Sequence, residues 1–420
     1  MDSPKKLIVG YDLCEDFTQI SCFSYKTMEP IPISIREGED CGMIPTVLGV
    51  KSETKQWMIG EEAIACAAGG TGVIVDHFLD KTLSEDEIEI YGQKFSAITL
   101  LEKYIRKTLT LVKNYFPTEQ ITRLVVTVRE TDPTYVDKIY KALSLLGLNR
   151  DRAIVMNHAG VYLYYALCQD KSLWMNDVGL FDFSKEGLYF YQIHINRRSR
   201  PMIAGLIKKD YSDQLNIAML KEKGIDPAYI FENTANNALY KQIISTIYFT
   251  GNGFMGNWAE AAIKNLCIGR RVFVGQNLYT KGACYAAKAL SGDQDLDDFI
   301  LLNDDMITSY VSVRVYCDTE FKDIPIAKAG ENWYEVDGSI EVIPEGNAEL
   351  EVTVNNIMTR DINRILIPIN QFPKRPDRLT RLIVNVVCKD KSSGIITVTD
   401  LGFGELYPES GQTIEHMIEL

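Results

Sequence analysis

Apolar positions recur along this chain with two different periods, and the change from one to the other divides it. Through residue 290, stretches with strand character alternate with stretches of helical spacing. Leu7–Tyr25, "LIVGYDLCEDFTQISCFSY", reads as strand, tight turn and strand, with Asp12 at the end of the first strand. In "FSAITLLEKYIRKTLTLVKNYF" the residues Ile98, Leu101, Ile105, Leu109, Val112 and Phe116 recur at three- and four-residue steps, which predicts one helix over 95–116. "RLVVTVRE" follows as a buried strand. "DPTYVDKIYKALSLLGL" predicts a helix with Asp132 as N-cap, Pro133 at its first position and Gly147 near its end. "AIVMN" is a strand and "HAGVYLYYAL" a helix rich in small residues at its start.

The strand-turn-strand pattern then repeats in "VGLFDFSKEGLYFYQIHI", and Asp182 takes the place that Asp12 has in the first unit. This is a weak internal repeat. Polar helical segments are expected from there to about Lys241. "IISTIYFTGNGFMGNWAEAAIKNL" reads as strand, Gly-turn and helix, and "NLYTKGACYAAKAL" as a second small-residue helix. Beyond Leu290 an acidic connector with an apolar centre, Phe299–Leu302, leads into a different pattern. Val311, Val313 and Val315 alternate with Ser312 and Arg314, and Leu350, Val352 and Val354 alternate with Glu351 and Thr353. Period-two alternation of this kind predicts a small antiparallel all-β domain of sandwich type.

Bulk properties narrow the function classes. A chain of 420 residues is long for one core, so two or three domains are expected. The formal net charge of -13 argues against binding to nucleic acid or an anionic membrane. The nine cysteines show no CxxC pair or metal-ligand spacing and read as reduced, packed thiols. "MDSPKKLIVGYDL" enters a strand almost at once, leaving no room for a signal peptide, and no apolar run reaches the ~20 residues of a membrane span. A cytoplasmic protein is expected.

The order of these elements resembles the actin-like ATPase fold, and most closely the DnaK-type (heat-shock 70) chaperones. "IVGYDLCEDFTQISCF" and "GLFDFSKEGLYFYQI" look like their two phosphate hairpins, "IYFTGNGFMGNWAEAAI" like their adenosine turn, and "HAGVYLYYAL" and "NLYTKGACYAAKAL" like their two interdomain helices. "DFILLNDDMITSYVSVRV" is similar to the apolar linker and first strand of their substrate domain, and "LTRLIVNVVCKDKSSGIITVTDLG" to a late hairpin of it. The resemblance covers nearly the whole chain through the order of degenerate motifs. It implies an α/β fold of two actin-like lobes over 1–290, a linker over 291–305 and a β-sandwich domain over 306–420. The lobe-tip subdomain is expected to be reduced, since 194–247 is short, and no counterpart of the family's helical lid is read before Leu420.

The resemblance also assigns roles. Asp12 and Asp182 match the hairpin aspartates that hold Mg²⁺ through water, and Lys81 in "VDHFLDKTL" matches the catalytic lysine. The vestigial nucleotide cleft would comprise Cys14, Lys185, Gly187, Gly251, Asn252 and Gly253. Several positions depart from the family. Its catalytic Glu falls on His158, and the neighbouring Pro on Ala159. Its second glycine run falls on Phe183, Ser184 and Lys185, and that hairpin's closing Asp on Tyr189. The first hairpin's Gly falls on Cys14 and its hydroxyl pair on Glu15 and Asp16. A unit charge about 4 Å from another costs roughly 4 kcal/mol at an effective dielectric near 20, so two added carboxylates oppose a triphosphate unless a cation such as Lys185 intervenes. With no partner carboxylate visible in the sequence, His158 reads as a satisfied buried histidine. The small residues Ala159, Gly160, Gly282, Ala283, Ala286 and Ala287 read as allowing two helices to cross closely. The expectation is a pseudo-ATPase scaffold or chaperone-like module with a protein or peptide partner, without efficient ATPase activity. Two alternatives stay open: an ATP- or ADP-binding switch using Mg²⁺ with unusual loops, and, less favoured, a small-molecule kinase of the same superfold.

Overall fold

The computed structural model describes residues 6–34, 42–75, 77–293, 296–346 and 349–420. Cys41, Asp76 beside the Lys81 motif, and Gln294 and Asp295 of the acidic connector lie outside these. The protein is mixed α/β, and it divides into two compact units. One comprises Met1–Ile195 and Leu206–Phe299, the other Asn196–Gly205 and Ile300–Leu420. No helix among the described residues is long and apolar enough to cross a membrane.

The first unit is built twice on one plan. Its first sheet runs, in spatial order, Ala153–Asn157, Gln120–Val128, Lys6–Leu13, Phe17–Ser24, Glu29–Ile33. Its second contains Arg271–Val274, Ile244–Thr250, Asp177–Ser184, Gly187–Asn196 in the same relative order. In each, the leading strand of the hairpin pairs antiparallel with its return strand and parallel with the next strand inward. The register makes the repeat specific. Asp12 lies opposite Thr127, and Asp182 lies opposite Thr250, each at the last pair of a parallel ladder. Both aspartates therefore stand at the carboxyl ends of parallel strands, where open α/β sheets gather ligands. The hairpin strands are buried nearly end to end, as their continuous apolar runs require.

The helices form where local chemistry favours them. Pro133–Leu145 starts on Asp132, whose carboxylate accepts from the backbone N–H groups of Thr134 and Tyr135. Ala97–Tyr115 buries Leu101, Ile105, Leu109 and Val112 as the spacing predicts, together with Leu100, Tyr104 and Thr108. Its first expected residues instead belong to a short hairpin, Glu87–Ile90 with Gln93–Ser96, so Phe95 lies on a strand. The stretch after the second hairpin also differs from the helical expectation. Met202–Asp210 is a strand, and Pro227–Leu239 is its first α-helix. Gly205 inside that stretch disfavours a helix, and alternation in "MIAGLI" is as strand-like as it is helical.

The two small-residue helices, His158–Leu167 and Leu278–Ala289, pack against each other. A Cβ at Gly282 would stand 2.3 Å from the Val161 carbonyl oxygen. The second of these helices also lies directly on the first strand. A Cβ at Gly10 would meet the Thr280 carbonyl oxygen at 2.2 Å and the Cys284 nitrogen at 2.4 Å, and the Thr280 hydroxyl donates to the Gly10 carbonyl. These glycines are required by backbone contact, since no side chain can retreat from a main-chain atom.

The second unit contains two four-stranded antiparallel sheets. One has the order Glu320–Ala327, Ser309–Cys317, Glu349–Asn356, Ile362–Pro368, and the other Asp337–Val342, Leu382–Asp390, Ser393–Asp400, Thr413–Glu419. Val311, Val313, Val352 and Val354 from the first share one core with Leu382, Val384, Val386, Ile396 and Val398 from the second. Asn196–Gly205 belongs to this unit, and a Cβ at Gly205 would meet the Met358 thioether.

Candidate functional site

The carboxyl ends of the two hairpins face one cleft in the first unit. Its cavity measures about 70 Å³, and the lining includes Asp12, Cys14, Glu15, Asp16, Arg129, His158, Asp182, Glu186, Gly251, Asn252, Gln276 and Tyr279. Pockets that hold drug-sized ligands run to roughly 300–1,000 Å³, so this cavity is small beside them.

The first aspartate has two partners, both on one carboxylate oxygen. Asp12 is 5% exposed, and its Oδ1 accepts from the His158 Nε2–H at 2.9 Å and from the Cys14 thiol at 3.3 Å. Cys14 Sγ also lies 3.5 Å from His158 Nε2. His158 is the first residue of its helix, placed by Asn157, whose side chain caps Gly160. The imidazole stacks on the Tyr279 ring at 3.7 Å between centroids. Burial and then Asp12 raise the Cys14 thiol well above its ordinary pKa, which keeps it protonated. His158 therefore has a carboxylate partner that the sequence concealed, 146 residues away. Its Nδ1 is buried with no hydrogen-bond partner among the described residues.

The second aspartate is held by groups that sequence reasoning missed. Asp182 Oδ2 accepts from the Tyr279 hydroxyl at 2.7 Å and lies 3.7 Å from the Arg129 guanidinium. Arg129 also donates to Ser184 Oγ at 2.7 Å and pairs with Glu186 at 3.2 Å. Burial works against the arginine's charge, but the Asp182 and Glu186 carboxylates outweigh it and hold its pKa above the ordinary value. Burial, then Asp182, raises the Tyr279 phenol, so it acts as a donor. One signal for Arg129 was available: it is the first residue past the buried strand Gln120–Val128.

The added carboxylates of the first hairpin also have partners. Glu15 accepts from the Asp80 backbone N–H at 3.1 Å and lies 3.7 Å from His77. Burial and Asp80 raise its pKa. Lys185 lies 3.8 Å from Asp16 in a half-exposed pair. Lys185 and Gly187 belong to the tight turn of the second hairpin and do not themselves line the cavity. Nor does Lys81, which sits half-buried on the short helix Phe78–Ser84.

The Gly251–Gly253 turn is occupied by protein. Gly251 has φ of 100°, and a Cβ there would meet the Phe183 carbonyl oxygen at 2.2 Å. At Gly253 a Cβ would meet the Phe183 ring at 2.5 Å. Phe183 is fully buried, edge-on to Phe254 and Trp258. Gln276 donates to the Gly251 carbonyl at 3.0 Å. The turn thus packs on Phe183 of the second hairpin, Gly251 against its carbonyl and Gly253 against its ring.

Fold and site define a mixed α/β protein whose duplicated hairpins close on a small polar cleft. Residues 29–304 match the family of unknown function (DUF5716) C-terminal, well over half of the chain, and the protein belongs to that family. Residues 306–420 match a domain of unknown function (DUF8552). A comparison with curated proteins finds no match.

Proposed function

We propose that this chain is a pseudo-ATPase on an actin-like, heat-shock-70-type scaffold, a cytoplasmic protein-binding module that does not cycle on ATP. The cleft carries the proposal. Its cavity of about 70 Å³ is bordered by Asp12, Glu15, Asp16, Asp182 and Glu186, and the glycine turn that would receive a nucleoside holds Phe183. A triphosphate entering it would meet like charges at a few kcal/mol each. Arg129, which lines the cleft, is engaged by Asp182 and Glu186.

The test is titration calorimetry of the whole chain with ATP and ADP, with and without Mg²⁺. No binding is expected at millimolar nucleotide. Tight Mg²⁺-dependent binding, or ATP turnover abolished by Asp12→Ala, would refute the proposal and favour a nucleotide switch. The matched positions of Asp12 and Asp182 against Thr127 and Thr250 support that second reading.

A further inference from the structure

The first hairpin and the first small-residue helix bring three different metal-binding atoms together. Asp12 Oδ1, Cys14 Sγ and His158 Nε2 form a triangle with edges of 2.9, 3.3 and 3.5 Å. We propose that this triangle is a three-ligand site for a borderline-soft divalent cation of the zinc type, with water in the fourth position. The proposal stands on these atoms whether or not the cleft admits nucleotide.

Geometry comes first. With zinc bonds of about 2.0–2.3 Å and tetrahedral angles, the O–N, O–S and N–S edges come to roughly 3.3, 3.5 and 3.6 Å. Each observed edge needs to widen by no more than about 0.4 Å. The ligands are also held in place before any metal arrives. Asp12 is fixed by strand pairing to Gln19 and Thr127. The His158 ring is fixed by its stack on Tyr279, whose hydroxyl is tied to Asp182.

The donor set selects the cation. Thiolate and imidazole favour zinc and its neighbours over Mg²⁺ or Ca²⁺, which take oxygen shells. One thiolate, one carboxylate and one neutral imidazole balance a charge of two. On loading, the Cys14 thiol loses its proton to solvent, and the His158 ring proton moves from Nε2 to Nδ1. The buried Nδ1 has no partner among the described residues, so the tautomer change leaves an unsatisfied N–H there, a desolvation cost that the metal bonds must exceed. All three residues line the cleft cavity, which has room for the fourth-position water. A second cluster, Glu15, His77 and Asp80, is more exposed and lacks a soft ligand, so it provides no comparable site.

The test uses the whole chain, stripped with chelator, reduced without a thiol reagent, and titrated with Co²⁺. The expected result is a thiolate-to-cobalt charge-transfer band and intense tetrahedral d–d bands that saturate at one equivalent. Zn²⁺ should abolish them. Cys14→Ser should lose the charge-transfer band, and His158→Gln should weaken binding at least ~10-fold, while Cys267→Ser at an exposed thiol should change neither. In unmodified protein, Zn²⁺ should slow alkylation of Cys14 but not of Cys267, read by mass spectrometry, so the proposal remains testable if a variant fails to fold. Absence of the charge-transfer band in the unmodified chain, its persistence in Cys14→Ser, or equal alkylation of Cys14 with and without Zn²⁺ would overturn the site.

Discussion

Replacing Phe183 with alanine tests whether the cleft is closed by packing. The ring is fully buried against Phe254 and Trp258, and it lies where a Cβ at Gly253 would stand. A phenylalanine buries about 150–250 Å², which at ~25 cal/mol per Å² amounts to roughly 4–6 kcal/mol. Alanine keeps the Cβ, so the lost transfer energy is smaller, and the cavity left behind adds to it. Measured Phe→Ala changes in cores fall at about 3–5 kcal/mol. The Gly253 backbone is held by the Trp258 Nε1–H donating to its carbonyl, which limits collapse into the hole. A loss of about 3–4 kcal/mol in the first unit is therefore expected. Urea unfolding followed by far-ultraviolet circular dichroism and by fluorescence reads it as a lower midpoint at constant slope. A loss under ~1 kcal/mol would refute the packing argument. It would mean that the ring leaves the turn readily and that the space is available to a ligand.

Other substitutions probe other contacts. Gly10→Ala should destabilise by at least ~2 kcal/mol, because its Cβ meets main-chain atoms of the second small-residue helix, whereas Gly275→Ala, with open space around it, should stay within ~0.5 kcal/mol in the same urea assay. Arg129→Met leaves buried Asp182 with the Tyr279 hydroxyl; since the guanidinium is a quarter exposed, the expected loss is about 2 kcal/mol, and Arg129→Met with Asp182→Asn should recover part of it in a double-mutant cycle. In the second unit, Asp400 accepts two hydrogen bonds from Arg375, at 2.6 and 2.8 Å, and one each from the Gly402 and Ser410 backbone N–H groups. Asp400→Asn should lose about 3–5 kcal/mol at pH 7. The arginine holds the Asp400 pKa below the unfolded value near 3.9, so this contribution is complete above about pH 4 and disappears as pH falls toward the folded value. Urea midpoints of the two proteins should therefore converge in acid.

What the sequence made legible was local. The strand ends carrying Asp12 and Asp182, the Asp132 cap and the helical face from Leu101 to Val112 depend on neighbours within a few residues. The site depends on contacts across the chain. Asp12 meets His158 over 146 residues, and Tyr279 meets Asp182 over 97, so neither has a local signature. Arg129 looked like an ordinary charge after a strand. The glycines at 251 and 253 were legible as a turn, but their use was not, because a flexible turn in sequence gives no sign of the ring it accommodates. Met202–Asp210 shows the converse, a short ambiguous stretch where periodicity alone could not separate strand from helix.

The second unit is assembled from two stretches of chain, Asn196–Gly205 and Ile300–Leu420. During synthesis at ~5–20 residues per second, the first stretch precedes the end of the second by roughly ten to forty seconds. A fragment cut at residue 306 would keep the shared core from Ile307 to Ile418 but lose the close approach of Gly205 to the Met358 thioether. Its urea midpoint should therefore fall only slightly, and a peptide spanning 196–205 should restore the difference.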